Sequence, residues 1–228
     1  MIKLGKRFWT EKLGIKWTTQ LKDMLRSPYS SKLMGFINTE YVMNDIEPFK
    51  VDIFNAYKLC KWEDVKVVII GDKPYMNTTP SGLAYGNKFV SQFYSIELSI
   101  IHDCIEREYH KDGFYLDFNF TLEDWAKQGV FLINKQLTTR VEGKNIHKKP
   151  WGKFISATLN AIIDYKPGTI FMLWGKEAQL LEPHLKNMHV LKYDHPSEYI
   201  DSKKSWNCPN FKQADKILID LYGETIKW

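Results

Sequence analysis

Apolar residues along this chain gather into four short, nearly unbroken runs: residues 65–71 (VKVVIIG), 129–134 (GVFLIN), 169–175 (TIFMLWG) and 189–195 (HVLKYDH). Each is too short for a helix of ordinary length, is rich in β-branched or aromatic residues, and closes on a glycine or a polar residue. That pattern predicts buried strands. Between them the apolar period lengthens towards 3.6. Residues 95–109 place Ile96, Ile100, Ile101, Cys104 and Ile105 on one face, with Glu97, Asp103 and Arg107 elsewhere. Residues 151–165, 176–187 and 211–222 share this rhythm and are predicted helices. Strands alternating with helices predict an α/β fold, a central four-stranded parallel sheet flanked by helices. In such sheets ligands bind beyond the carboxyl ends of the strands. The predicted site is therefore built from residues 72–75, Asn134, Gly175, Lys176 and residues 195–199.

Length and composition add few constraints. The 228 residues suit one domain, and no repeat, low-complexity tract or Gly/Ser linker divides them. The expected organisation is an N-terminal arm over residues 1–16 and a single domain over 17–228. The net charge of +5 permits nucleic-acid binding without demanding it. The three cysteines, Cys60, Cys104 and Cys208, are far apart and form no CxxC. They predict reduced thiols rather than a disulfide framework or a zinc site, and no metal or cofactor is expected. No apolar run approaches the ~18 residues that span a bilayer, and no apolar segment follows the charged N-terminus. The expectation is an intracellular protein with no membrane partner.

The strand ends carry different chemical tools. The first leads into Gly71-Asp72-Lys73-Pro74-Tyr75: a glycine for close approach, two opposite charges, a rigid proline and an aromatic wall. The second ends in Asn134, whose amide offers a donor beside an acceptor and suits a base edge. The fourth ends in His195-Pro196-Ser197-Glu198-Tyr199, a histidine followed by a turn with a small hydroxyl and a large ring. Each piece alone has an ordinary structural reading, as a turn residue, a packed ring or a solvated charge. Their convergence on one rim points to a site.

KLMGFI (32–37), EDVKVVIIG (63–71), Pro74-Tyr75, Gly82-Leu83, WAKQGVFLIN with LTTR (125–140), FMLWGKEAQ (171–179) and HPS (195–197) follow in an order and spacing that resembles family-1 uracil-DNA glycosylases. The resemblance covers about Trp17 to Trp228. It implies a partner, single- or double-stranded DNA containing uracil, with a protein partner also conceivable but unspecified. It also implies roles residue by residue. Tyr75 matches the tyrosine that excludes the thymine methyl group. Tyr85 stands where the family stacks a phenylalanine on the flipped base. Asn134 matches the asparagine that distinguishes uracil from cytosine by hydrogen-bond polarity. His195 matches the histidine that stabilises charge developing on the base oxygen O2. Ser95 and Ser197 match phosphate-contacting serines, Lys176 lies on the same DNA-facing rim, and Tyr199 replaces a leucine wedge.

The first loop departs from the family. Where the family reads Gly-Gln-Asp-Pro-Tyr-His, this chain reads Gly71-Asp72-Lys73-Pro74-Tyr75-Met76. Lys73 takes the place of the catalytic aspartate and Met76 that of the water-holding histidine. Residues 89–94 (FVSQFY) replace the proline-rich phosphate-contacting segment. Glycosidic cleavage builds positive charge at C1′ of the sugar, which a carboxylate stabilises and an ammonium repels. At ~4 Å and an effective dielectric near 20 one such contact is worth about 4 kcal/mol. A fraction of that changes the rate roughly ten- to a thousandfold. Three outcomes are open: Asp72 supplies the carboxylate, although neighbours on an extended segment point to opposite sides; a desolvated Lys73 attacks C1′ to give a Schiff base; or uracil is recognised and hydrolysis is weakened or lost.

Overall fold

A computed structural model of the chain describes residues 5–76, 78–89, 94–109, 118–144 and 146–228. Four helices come first: α1 (Lys6–Leu13), α2 (Ile15–Gln20), α3 (Lys22–Arg26) and α4 (Pro28–Met43). Strand β1 (Ile46–Glu47) and helix α5 (Asn55–Leu59) lead to β2 (Val67–Gly71), α6 (Ile96–Tyr109), α7 (Glu123–Lys127) and β3 (Val130–Asn134). Then follow β4 (Thr139–Arg140), α8 (Lys148–Tyr165), β5 (Ile170–Trp174), α9 (Lys176–Gln179), β6 (His189–Tyr193) and α10 (Asn210–Tyr222).

Strands β3, β2, β5 and β6 form one four-stranded parallel sheet in that order, while β1 and β4 make a small antiparallel ribbon. Every residue of β2, β3 and β5 is buried, so no polar face interrupts their sequence runs. β6 lies at the sheet edge and is only partly covered, and it carries the exposed Lys192. The chain passes from β2 to β3 on one side, then returns across β2 to lay down β5 and β6. The order thus reverses between β2 and β5, which opens a crevice beyond their carboxyl ends.

The four predicted strands form within two residues of their expected ends, and three of the four helices within three. The fourth, expected over 176–187, stops as α9 at Gln179, and a 3-10 turn follows over Glu182–His184. Pro183 inside that stretch lacks an N–H and its ring clashes with a continuing helix. On α6 the buried positions are Leu98, Ile101, Cys104 and Ile105, whereas Ile96 is 56% exposed. All three cysteines are buried free thiols.

The expected arm also differs. Helix α1 inserts Trp9 and Leu13 into the core, with the Trp9 ring 6.0 Å from Phe54 and 6.1 Å from Phe154. Two bulky apolar residues four apart form a helical stripe that gains by burial, so residues 6–16 belong to the folded unit. Trp17 extends that attachment. It stacks on Phe131 of β3 at 4.8 Å and its indole N–H donates to the Cys60 carbonyl at 2.9 Å.

Candidate active site

The carboxyl ends of β2 and β3 open on a cavity of about 190 Å³. Gly71 and Asn134 face each other in register across the two strands. A Cβ on Gly71 would land on the Asn134 side-chain oxygen and come within 3.1 Å of Ala84 Cβ. The glycine therefore makes room for the amide, the close approach its place in the sequence predicted. Asn134 is only 5% exposed, and among the described residues none takes up its side-chain amide, which opens on the cavity. At the end of β5, Gly175 adopts φ +81°, and a Cβ there would sit 2.8 Å from His195 Cβ. A side chain at 175 would thus displace the histidine.

His195 is held in one tautomer. The Ser197 backbone N–H donates to Nδ1 at 3.2 Å, and Ser197 Oγ lies 2.7 Å from the same nitrogen. A backbone N–H can only donate, so Nδ1 is an acceptor and the ring proton resides on Nε2. Nε2 lies 3.1 Å from the Tyr85 hydroxyl and donates to it. Glu198 closes a capping box by accepting from the His195 backbone N–H at 3.4 Å. Burial holds the imidazole pKa below its usual 6.5, against the opposing pull of Glu97, Glu198 and Asp72. At neutral pH the ring is an uncharged Nε2–H donor facing the cavity.

Tyr75 forms another wall. Burial, reinforced by the Tyr85 and Glu97 charges, pushes its hydroxyl pKa up, while Ser95 nearby opposes the rise. Glu97 is a lining residue that the sequence reading left on a polar helix face. Its signal was faint: an acidic residue in the first turn of α6, where carboxylates favour the helix dipole. Ser95 is 6% exposed, and its Oγ accepts the Leu98 N–H at 3.1 Å. The serine expected at a phosphate thus caps α6 through its Oγ lone pair.

An adjoining groove of about 540 Å³ shares Asp72 and His195 with the cavity and continues past Gly175, Lys176 and Glu198. It also reaches Lys148 at the start of α8, which the sequence reading did not single out. Ser197 is exposed beside this groove. Tyr199 lines neither space. Its hydroxyl donates to Asp194 at 3.0 Å, which raises its pKa to about 12, and its ring packs against the core. To serve as a wedge it would have to leave that partner.

Asp72 and Lys73 both line the cavity, contrary to the alternation expected of an extended segment. Strand β2 ends at Gly71 and the next two residues form a bend, so the strict period of two no longer applies. Met76 is 43% exposed. Of the segment 89–94 expected to replace the phosphate contacts, residues 90–93 lie outside the described residues.

The carboxyl ends of this parallel sheet thus gather an amide, a neutral histidine, two tyrosines and paired charges in one cavity. The family model of the Uracil DNA glycosylase superfamily matches residues 58–221. The chain is 34% identical over 221 residues to the uracil-DNA glycosylase of Fusobacterium nucleatum, covering 95% of this chain and 96% of that protein. It is 33% identical to that of Francisella philomiragia, covering 94% and 99%. The crystal structure of mimivirus uracil-DNA glycosylase superposes with a TM-score of 0.83 at 20% identity, covering 99% of this chain and 90% of that one. The protein belongs to the uracil-DNA glycosylase superfamily.

Proposed function

We propose that the protein binds uracil-containing DNA and cleaves the uracil glycosidic bond, with Asp72 as the carboxylate facing the sugar. The observation that carries this reading is that Asp72 lines both the base cavity and the adjoining groove. The names borne by its relatives, all uracil-DNA glycosylases, support it further. A flipped uracil would enter between Tyr75 and Tyr85. Asn134 would donate to O4 and accept from N3–H, a pairing that cytosine reverses. The tyrosine wall leaves no room for a 5-methyl group. As the bond lengthens, negative charge grows on the base, where the Nε2–H end of His195 supplies a neutral donor that strengthens in the transition state. Positive charge grows on the sugar at the mouth, where Asp72 stands. Lys176 and Lys148 along the groove would track phosphates.

Lys73 favours a second reading, recognition with hydrolysis weakened or lost, because it lines the same cavity and its ammonium would oppose the cationic sugar. One assay separates them. Excess protein is incubated with a labelled single-stranded oligonucleotide carrying one uracil, then treated with alkali. Strand scission that disappears in Asp72→Asn and Asn134→Ala supports cleavage through Asp72. Retention of the uracil strand on a gel without scission supports recognition alone. A borohydride-trapped adduct that requires Lys73 would replace Asp72 by a Schiff-base route.

A further inference from the structure

We propose that the Tyr85 hydroxyl is the hydrogen-bond donor that meets the base oxygen, with His195 behind it as a positioning residue. The inference rests on the uracil-binding reading above and deepens it, since it changes which atom touches the base. Both residues line the cavity, and the hydroxyl stands 3.1 Å from Nε2, the only His195 nitrogen that carries a proton. The Nδ1 side is closed by the Ser197 N–H and Oγ, so the imidazole has its single N–H to give and gives it to Tyr85 Oη. A hydroxyl that accepts this bond keeps its own hydrogen. Among the described residues no second group takes up the Tyr85 hydroxyl, and Tyr85 lines the cavity.

Direct contact between His195 and the base would require this hydroxyl to be expelled from its partner. Tyr85 is 5% exposed, and that rearrangement gives up the Nε2–H bond its hydroxyl accepts. Contact through the hydroxyl leaves every donor and acceptor matched. It also makes the phenol a stronger donor, because a hydroxyl that accepts one hydrogen bond gives the next more readily. The ring is fixed for this task. Tyr85 holds the left-handed backbone at φ 66°, and its ring packs 5.5 Å from Trp174. Burial, with Glu97 and Asp72 nearby, pushes its pKa up and keeps the phenol protonated. No proton changes owner in this arrangement; the chain of two hydrogen bonds stabilises charge and transfers nothing.

The test compares the full-length protein with Tyr85→Phe on single-stranded oligonucleotides carrying one uracil, thymine or cytosine in the same context, read by fluorescence anisotropy. Tyr85→Phe is expected to lose about tenfold of the uracil preference, the size of one hydrogen bond. Adding His195→Ala to Tyr85→Phe should cost little more, because the histidine acts through the hydroxyl. Incorporation of 3-fluorotyrosine at position 85 keeps the ring and sharpens the donor, so the preference should rise even if the phenylalanine variant folds poorly. A Tyr85→Phe protein of normal thermal stability that keeps or gains uracil preference would overturn the inference, as would a fluorotyrosine protein of lowered preference. An unmodified protein with no uracil preference would instead overturn the functional reading on which it rests.

Discussion

Asp72 and Lys73 bring opposite charges to one cavity, and the chemistry expected of the site turns on which of them the sugar meets. Replacing Lys73 by Asp removes a repulsion and adds an attraction. The release rate of uracil in a single-turnover assay should rise by roughly ten- to a thousandfold, the range a partly screened charge contact commands. Gly71→Ala offers a steric test of Asn134 without touching its chemistry. The added methyl group falls on the amide oxygen, so the uracil-over-cytosine preference should fall while thermal stability drops by only about 1–3 kcal/mol. The His195 pKa lies below 6.5 because of burial, so the neutral form persists as pH falls from 8 to 6.5. Below the depressed value Nδ1 takes up a proton and can no longer accept the Ser197 N–H. Uracil preference measured by anisotropy should therefore stay level from pH 8 to 6.5 and decline only on further acidification.

Helix α1 shows how an element can be decided by its partners. KRFWTEKL contains only two fully buried side chains, Trp9 and Leu13, too few for its helical period to stand out in the sequence. Trp9 nonetheless meets Phe54 and Phe154. Trp9→Ala should lower unfolding free energy by roughly 3–5 kcal/mol in urea titration, the usual cost of emptying a buried indole. A detached arm would show almost no change. Helix α6 depends on its first turn in a different way: Ser95 caps it by accepting the Leu98 N–H. Ser95→Ala should then cost about 1 kcal/mol of stability in urea titration.

For the molecule as a whole, the reversal of strand order between β2 and β5 places the cavity and the adjoining groove, lined by Lys148 and Lys176 as well as by Asp72, Glu177 and Glu198, side by side. Lys148 and Lys176 enter that groove from α8 and α9, elements separated in sequence by β5. If each meets one phosphate, neutralising either should weaken DNA binding equally for uracil and thymine strands. Each should also reduce the slope of log affinity against log salt by about one. Among the described residues no helix is long and apolar enough to cross a membrane.

The four strands and the site at their carboxyl ends were legible in the sequence because a fully buried strand must be apolar throughout and must end where polarity returns. Asn134, His195 and Tyr75 were legible for the same reason, since they are the polar or aromatic residues that close or follow those runs. Only the tertiary structure decided that Glu97 joins them, because a helix's first turn can face solvent or a cavity and its sequence is the same either way. It also decided that Ser95 is consumed as a cap, that Tyr199 is tied to Asp194, and that a bend after Gly71 turns Asp72 and Lys73 together into one space. Strand periodicity is a property of a few neighbouring residues, and a sequence displays it. The Tyr85 hydroxyl and His195 stand 110 residues apart in the chain, and only folding brings them within reach.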